Sequence, residues 1–380
     1  MTEELSGGDL HRLRQLNALT VMRTLRGGSA LTLTELAQRT GLSRASTEDV
    51  VRDLLERGWV AEAELKVGTV GRPARRYRFR ADAGRVLGVD IGGHKVLALL
   101  SDLDGEVLHS ERVGVDPSMG RMERLAAVDR AIAGALAGAG VSTADVWATG
   151  VATTGLVDGT GRVMLSEALP EWTGVDVAGH VSRRVSGPVL VENDSKLAAL
   201  AESWRGVARY AKDVVFLLAG LRTGAGLIID GKLHRGFGNA AGEIGALPQV
   251  GWIRAQEHLK AWTPGPGVTN IFQAARDGDR KAVAAIRRYV KDIAVGASAL
   301  VLTLDPELVV VGGGFSRSAD LILGTLRAEL DRRCIRTPEV RASALADEGV
   351  ALGALRLALD HVDAALNRPG ELAAPSSFLA

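Results

Sequence analysis

The stretch Gly88-Val-Asp-Ile-Gly-Gly-His-Lys95 decides the fold, because it joins two apolar segments through a glycine turn. The run Val86 to Ile91 predicts a strand, and the apolar run after the turn predicts a second strand beside it. We expect Gly92 and Gly93 to take positive φ and to let the backbone approach a bound group. Asp90 would place a carboxylate at the mouth of the turn. The stretch therefore indicates a phosphate-facing hairpin, with an ordinary tight hairpin as the alternative.

The same order of elements returns in the second half of the chain. Residues 214–220 predict a strand, residues 222–226 a glycine turn and residues 227–230 a further strand. Two copies of one β-meander with crossover helices predict an α/β protein with a two-lobed, actin-like (ribonuclease H-like) body. We place the first lobe at 83–200, completed by a C-terminal helix at 351–366, and the second lobe at 201–350. The tail, 367–380, contains Pro, Gly and Ser and is expected to be loose.

The composition is that of a globular chain without a dominant charge. Of 380 residues 46% are hydrophobic, and the formal net charge is +1. Lys and Arg outnumber Asp and Glu over residues 1–86, whereas acidic residues are in excess over the remainder. The basic excess therefore lies at the N-terminal end, where a polyanion would bind. There is no signal peptide and no membrane-spanning apolar run, and Cys334 is alone, so we expect a cytoplasmic protein without membrane contact or disulfide.

Residues 1–82 have the pattern of a winged helix-turn-helix domain. A first helix is predicted over 11–25, a second over 35–40 with Thr34 as its N-cap, and a third over 44–58 with Ser43 as its N-cap. The apolar face of the first helix is predicted at Leu13, Leu16, Leu19, Val21, Met22 and Leu25. A glycine-containing turn before a helix with a polar first turn is typical of major-groove readers. The exposed candidates for DNA contact on the third helix are Arg44, Ser46, Thr47 and Arg52.

An arginine-rich hairpin follows the third helix. Gly71-Arg72-Pro73 is narrow and extended, so it can place the Arg72 guanidinium in a minor groove. Arg75 and Arg76 can then hold flanking phosphates. A solvated hairpin with no DNA contact is the alternative for the arginines alone. Together with the three predicted helices, the hairpin favours double-stranded DNA as a partner.

A second candidate site lies where the predicted strand at 189–194 runs into a helix. This strand closes with Glu192, Asn193 and Asp194. Side chains at the C-terminal end of such a strand face a cleft in open α/β sheets, so we expect Asn193 and Asp194 to bind a ligand. Asn and Asp are also frequent helix caps, and a purely structural role is the alternative.

These motifs follow one another over nearly the whole chain in the order that resembles the ROK family of repressors and sugar kinases, and above all its regulator branch. The resemblance implies a sugar kinase-type fold for the body. It implies phosphate contact at the turn Asp90-Ile-Gly-Gly-His-Lys95, and sugar binding by Asn193, Glu243 and Glu257. Asp194 corresponds to the general base of the family's kinases.

The second glycine turn departs from the family pattern Gly-Thr-Gly-x-Gly-x-Gly, because it reads Gly220-Leu-Arg-Thr-Gly-Ala-Gly226. Leu221 offers no hydroxyl, and Arg222 puts a long side chain where the backbone would approach phosphate. Phosphoryl transfer depends on positioning and on stabilising charge, so the change predicts a very poor kinase. In that case Asp90, Gly92 and Gly93 form a vestigial phosphate turn, and Asp194 is a vestigial base.

Two further departures concern the sugar side and the metal. Ala246 stands where the family has a zinc-binding His, and the loop that follows it contains no cysteine. Zinc prefers four nitrogen or sulfur ligands in a closed site, so we expect no bound metal and no other cofactor. Ala168 occupies a position where family members commonly place a sugar-contacting Asn.

The leading hypothesis is a DNA-binding transcriptional regulator, most simply a repressor. Its body would bind a sugar or sugar derivative and would form a homodimer or homotetramer on a pseudo-palindromic operator. Two rivals stay open at this point. One is an active ATP-dependent sugar kinase with an accessory DNA-binding head, and the other is a regulator whose body binds no effector.

Overall fold

The computed structural model describes residues 10–63, 74–220, 222–264, 270–367 and 374–375. The helices, in chain order, are α1 Leu10–Leu25, α2 Leu33–Thr40, α3 Arg44–Arg57, α4 Arg121–Ala139, α5 Val177–Val181, α6 Asp194–Arg205, α7 Trp252–Lys260, α8 Ile271–Arg276, α9 Arg280–Leu304, α10 Ala319–Arg333 and α11 Gly349–Leu366. The strands are β1 Leu31–Thr32, β2 Val60–Ala63, β3 Arg76–Phe79, β4 Arg85–Ile91, β5 Lys95–Ser101, β6 Val107–Gly114, β7 Val146–Thr153, β8 Leu156–Val157, β9 Val163–Leu165, β10 Val189–Asn193, β11 Val214–Leu218, β12 Gly224–Ile229, β13 Lys232–Leu233, β14 Leu308–Gly312 and β15 Glu339–Ala342. Parts of the predicted wing (residues 71–73), Leu221 and nearly all of the predicted loose tail lie outside the described residues.

Helices α1–α3 and strands β1–β3, which we call the head, have the winged helix-turn-helix arrangement that the sequence predicts. Ser43 caps α3, and Gly58 ends it at φ 83°, as expected. The predicted N-cap of α2 is wrong, because α2 begins after Thr32 rather than after Thr34. Thr32 Oγ1 accepts from the Glu35 amide at 3.2 Å, and the Glu35 carboxylate accepts from the Thr32 amide at 2.7 Å. This capping box satisfies two amides at once, which a cap at Thr34 would not.

The apolar face of α1 is only partly buried. Its C-terminal half packs into the head core through Val21, Met22 and Leu25. Leu13 and Leu16, which we expected on the same face, are 54% and 53% exposed. The predicted helix is therefore present. In the described part of the head, however, only the apolar residues of its C-terminal half are buried.

The body contains two five-stranded sheets among the described residues, with strand orders β10-β7-β4-β5-β6 and β15-β14-β11-β12-β13. In each sheet an antiparallel meander (β4-β5-β6 or β11-β12-β13) is continued by two parallel strands. The two sheets therefore have one topology, which confirms the two-lobed body predicted from the repeated glycine turns. We call them the first and the second sheet.

Helix α11 lies on the first sheet with almost no side-chain layer between them. A Cβ built on Gly150 of β7 would be 1.9 Å from the Ala354 carbonyl oxygen, and one on Gly88 of β4 would be 2.6 Å from the Ala351 carbonyl oxygen. Gly353 of α11 is equally close to α6, since its Cβ would be 1.8 Å from the Leu197 carbonyl oxygen. Only glycine permits these backbone approaches.

The head and the first sheet share one hydrophobic core. Trp59 of the head stacks on Phe79 with ring centroids 6.3 Å apart, and it meets Trp147 of β7 edge-on at 5.8 Å. Gly84 lies against the Trp147 ring, where a Cβ would approach to 2.3 Å. The predicted boundary between residues 82 and 83 thus runs through a packed interface, and the head is joined to the body by more than its peptide link.

None of the described helices is both long and apolar enough to cross a membrane.

Candidate functional site

Strands β4, β7 and β10 are parallel neighbours, so their C-terminal ends meet at one edge of the first sheet. Ile91 and Asn193 both lie in register with Thr153 of β7. Asp90 and Asp194 therefore lie at the same edge of the sheet, although 103 residues lie between them in the sequence. This is the position at which open α/β sheets bind ligands.

Asp90 is buried, with 5% of its surface exposed. Its Oδ2 is 3.6 Å from Lys95 Nζ. Burial raises the pKa of Asp90 to about 6, and the nearby Lys95 ammonium lowers it in part. The carboxyl at the mouth of the hairpin therefore titrates well above the usual range of an aspartate.

Asp194 is half-buried at the first residue of α6. Burial, and after it the charge of Asp90, raises the pKa of Asp194 to about 7. A hydrogen bond from the Ser195 amide at 2.7 Å works in the opposite direction. A carboxyl that titrates near neutral pH can either accept a hydrogen bond from a hydroxyl or donate one to it.

Asn193 is the N-cap of α6, as the structural alternative predicted. Its Oδ1 accepts from the amides of Ser195 at 3.0 Å and Lys196 at 3.2 Å, and from the Ser195 hydroxyl at 2.5 Å. Its Nδ2 donates to the Gly155 carbonyl at 3.0 Å. The amide oxygen is therefore committed to the helix, and only the second hydrogen of Nδ2 is available to a ligand.

Glu243 approaches the same edge from the second lobe. Its charge acts on Asp194 and on Lys196 of α6. The Glu243 residue is exposed, yet the protein atoms around its carboxyl partly desolvate it and raise its pKa. The positive charge of Lys196 acts in the opposite direction. We call Asp90, Asp194 and Glu243 the carboxylate cluster.

Glu257 does not join this cluster among the described contacts. It is exposed on α7, on the side away from the buried Trp252 and Ala255. Its charged neighbour is Arg254, which itself pairs with Asp292. The predicted sugar-binding set is thus brought together at Asn193, Asp194 and Glu243, but not at Glu257.

A buried ion network behind the cluster was missed by sequence reasoning. Glu192, 2% exposed, accepts from Arg235 Nε at 2.6 Å and from Asn239 Nδ2 at 3.2 Å. Lys196 is fully buried, lies 3.9 Å from Glu192 and donates to the Asn239 carbonyl. The network links the first lobe to a loop of the second and holds the N-terminal turn of α6. The available signal was a lysine followed by the apolar run Leu197-Ala-Ala-Leu-Ala201, since Lys196 shares the buried side of α6 with most of these residues.

The Gly92-Gly93 turn differs from the prediction in its backbone. Neither glycine takes positive φ, so that expectation is wrong. The Gly92 amide donates to the Lys95 carbonyl at 2.9 Å, and the buried Arg124 donates to the Gly92 carbonyl at 2.6 Å. A Cβ on Gly92 would lie 3.2 Å from the Lys95 carbonyl oxygen, so close approach within the hairpin is what favours glycine there.

Of the four residues of α3 that the sequence predicts to contact DNA, three are at least partly exposed. Arg44 is exposed at the first residue, and Arg52 is exposed and paired with Asp49. Ser46 is half-buried and hydrogen bonds to the Ser43 hydroxyl at 2.9 Å. Thr47 is wrong as an exposed candidate, because it is fully buried and donates to the Ser43 carbonyl at 2.9 Å.

The arginines at the base of the wing are engaged inside the head. Arg75 pairs with Glu62 at 2.8 Å. Arg76 pairs with Glu35 at 3.2 Å and donates to the Ala30 carbonyl at 2.6 Å. Both side chains stay largely exposed, and each guanidinium has further N–H groups that a phosphate can accept from.

Comparison with known proteins settles the family. The ROK family model matches residues 86–251 and 255–361, and the IclR helix-turn-helix domain model matches residues 16–64. The chain belongs to the ROK family. It is similar to a xylose repressor of Caldicellulosiruptor bescii, with 24% identity over 92% of this chain and 97% of the relative. It is also similar to a glucokinase of Streptomyces coelicolor, with 29% identity over 72% of this chain and 98% of the relative.

Two solved ROK structures resemble the fold. A ROK family glucokinase from Streptomyces griseus in complex with glucose and AMPPNP matches 73% of this chain and all of its own, at a TM-score of 0.62 and 29% identity. A ROK family transcriptional regulator described as a homolog of the E. coli MLC protein matches 97% of this chain and 98% of its own, at a TM-score of 0.68 and 18% identity. At that identity the second likeness concerns the fold alone. The first structure stops at the body, whereas the second extends over the head.

The second glycine turn of this ROK protein carries an ion pair between the lobes. Arg222 Nη1 lies 3.1 Å from Glu167 Oε2, and the same guanidinium donates to the Glu167 carbonyl. Glu167 follows β9 of the first lobe, so the turn is tied across to the opposite lobe by a side chain. The long residue at this position therefore has a structural partner in the opposite lobe.

The other two departures from the family pattern are Ala168 and Ala246, and neither presents a polar side chain. Ala168 packs against the core of the first lobe rather than presenting a polar group. Ala246 is exposed in a short 3-10 turn. Within the described ranges no group of three or more His, Cys, Asp or Glu side chains is arranged to hold a metal ion.

Proposed function

We propose that this ROK protein is a DNA-binding transcriptional regulator, a repressor, whose body binds a sugar. The observation that carries the proposal is the exposed start of α3 on a head that shares one core with a ROK body. Similarity to the C. bescii xylose repressor over both head and body supports it. In this proposal the head (1–82) binds the operator, and the two lobes (83–200 with 351–366, and 201–350) enclose the effector.

The DNA contacts of the proposal are Arg44, Ser46 and Arg52 on α3, and Gly71, Arg72, Pro73, Arg75 and Arg76 at the wing. Arg44 at the start of a helix directed into the major groove is placed to reach base edges. The arginines of the wing supply phosphate and minor-groove contacts. A homodimer or homotetramer would present two heads to a pseudo-palindromic site.

The effector of the proposal is a small sugar held at the carboxylate cluster. Carboxylates accept hydrogen bonds from neighbouring hydroxyls in pairs, and Asp194 and Glu243 approach from opposite lobes. A ligand that bridges them would favour one spacing of the lobes by its differential affinity. No cofactor or metal enters the proposal, and Asp194 is treated as a vestigial base.

The test begins with duplexes selected by the full-length protein from a random-sequence pool. Their affinity is then measured by fluorescence anisotropy with and without D-xylose and D-glucose at fixed salt. We expect a sugar to change the affinity, and Arg72→Ala to weaken duplex binding by about ten-fold or more. Selection of no preferred duplex, or wild-type affinity of the Arg72→Ala variant, would contradict the DNA-binding part. A duplex affinity unaffected by either sugar would contradict the effector part.

A kinase is the second candidate, because the pKa of Asp194 near 7 would suit a general base. The Arg222–Glu167 pair counts against it, since it occupies the turn that should meet phosphate. An assay of ADP release with ATP and a panel of pentoses and hexoses separates the two. Turnover that Asp194→Asn abolishes would make the protein an enzyme.

A further inference from the structure

Helix α11 begins beside the carboxylate cluster. Asp347 lies two residues before its first residue, and Lys95 donates to the Asp347 carbonyl. The same Lys95 ammonium is 3.6 Å from Asp90 of the cluster. The Asp347 carboxylate also pairs with Arg317 of the second lobe at 2.5 Å. The N-terminal end of α11 is thus tied to the cluster and to both lobes.

The other end of α11 reaches the head. Asp363 pairs with Arg26, the residue that follows α1. Arg26 also donates to the Leu103 carbonyl at 2.5 Å and lies over the Phe79 ring at 5.6 Å. Beyond it, Asn367 accepts from Arg23 of α1 at 2.5 Å. The last turn of α11 therefore contacts the head, while the residues just before its first turn contact Lys95, the neighbour of Asp90.

Between these ends the helix has little freedom to absorb a displacement. It has 18 residues, which is about 27 Å of helix. The glycine contacts at positions 88, 150 and 353 press its backbone against β4, β7 and α6. Helix α6 itself starts at Asp194, so the cluster is connected to α11 by two routes, through Lys95 and through α6. Tightly packed elements move as units rather than deform.

We propose that α11 transmits the state of the carboxylate cluster to the DNA-binding head, with Lys95–Asp347 as the input contact and Arg26–Asp363 as the output contact. This inference rests on the proposed function, since it assigns the route by which a ligand would alter DNA binding. A ligand that draws Lys95 from Asp347 shifts the first turn of α11, and the ion pair at the last turn moves α1 with it.

The coupling is measured by hydrogen exchange with mass spectrometry on the full chain, without sugar or DNA. Lys95→Met disrupts the Lys95–Asp347 contact, and Arg26→Ala removes the Arg26–Asp363 ion pair. The double variant completes a double-mutant cycle, which measures whether the two contacts are coupled. We expect Lys95→Met to speed exchange of head peptides from α1 and α3 by about threefold or more. In the Arg26→Ala background the same change should have no further effect on the head.

Three controls keep the result interpretable. Lys232→Met makes the same chemical change at an exposed lysine of the second lobe and should leave the head unchanged. Arg12→Ala, on an exposed arginine of α1, should leave the response to Lys95→Met intact. If circular dichroism shows that Arg26→Ala unfolds the protein, Asp363→Ala removes the same pair from the α11 side.

Equal effects of Lys95→Met in the two backgrounds, or no effect in either, would overturn the inference. Because the exchange measurement needs neither ligand, it is separate from the duplex and sugar assays. If a sugar changed duplex binding but the exchange effects of the two substitutions were additive, α11 would not transmit the ligand state. The proposed function as a sugar-responsive regulator would still stand. Non-additive exchange without any duplex or sugar binding would keep the coupling and refute the proposed function.

Discussion

The two sheets of the body share one strand order, but their central strand pairs pack differently. At the centre of the first sheet Gly88 pairs with Gly150, and the backbone of α11 rests directly on them. At the centre of the second sheet Phe216 pairs with Val310, and both side chains are buried in its core. Equal topology therefore does not mean equal packing. The central strand pair of the first sheet contacts a helix through its backbone, whereas that of the second sheet packs through large side chains. In the second sheet the close backbone approach lies one strand away, at Gly226 of β12, where a Cβ would be 2.4 Å from the Ser195 carbonyl oxygen of α6.

Truncating the second sheet's centre should have the largest effect. Phe216→Ala removes a ring that also fills the space over Gly312, where a Cβ would lie 2.2 Å from it. We expect a loss of about 3–5 kcal/mol in the free energy of unfolding, measured in urea by circular dichroism. Leu302→Ala, at a half-exposed leucine of α9, should cost less than about 0.5 kcal/mol. A small loss at Phe216 would show that the second sheet has no side-chain core at this point.

Adding a single methyl group to the first sheet should come next. Gly150→Ala puts a Cβ 1.9 Å from the Ala354 carbonyl oxygen, which only a shift of α11 can relieve. We expect about 3 kcal/mol of destabilisation in the same urea experiment. Gly159→Ala, where a Cβ has open space and φ is not positive, is the matched control and should change stability little. Tolerance of Gly150→Ala would mean that α11 is not held by backbone contact.

The ligand site gives a third contrast between the lobes, conditional on sugar binding. Asp194→Asn, at the edge of the first sheet, should weaken binding of the active sugar by about ten-fold or more, because a charge-assisted hydrogen bond is lost. Glu257→Gln, on the outer side of α7, should change the dissociation constant less than about twofold. Isothermal titration calorimetry measures both. Equal losses of sugar affinity for the two variants would mean that Glu257 also contacts the sugar. That contact would require α7 to move toward the cluster.

The smallest expected effect is a pH dependence of opposite sign in the two lobes. The pKa values of Asp90 and Asp194 are raised to about 6 and about 7, so the folded state binds more protons than the unfolded state between about pH 4 and pH 7. Their contribution to stability therefore falls as the pH rises through that window. In the second lobe Arg276 lowers the pKa of Asp320, so its contribution is present above pH 4 and is lost only in acid.

Melting curves across this range test the sign. We expect Asp194→Asn to raise Tm by about 2–4 °C near pH 8, and the gain to shrink toward pH 5. Asp320→Asn should lower Tm slightly, by the same amount at both values, because this carboxylate stays ionised throughout. A gain for Asp194→Asn that grows on acidification would mean that Asp194 is stabilised as an anion.

Sequence reasoning predicted most of the helices and strands and part of the candidate ligand site. The strand–glycine turn–strand repeat predicted both sheets, and alternation and caps predicted the head. The errors share one cause, since each concerned a choice that neighbours make. The pattern predicts an exposed Thr47, but packing of the third helix turns this residue inward. It also predicts Thr34 as the cap of α2, but Glu35 forms a capping box with Thr32. Gly92 was explained by φ, whereas the Lys95 carbonyl beside it is the physical reason.

By itself the sequence determined the family, the repeated strand–glycine turn–strand unit, the carboxylates at strand ends and the helix-turn-helix head, because these depend on local pattern and motif. Only the tertiary structure decided that Glu257 stands apart from Asp194, that Arg222 is tied to Glu167, and that α11 joins the cluster to the head. Those outcomes depend on which distant segments pack together, and no local pattern encodes the distance between side chains far apart in the chain.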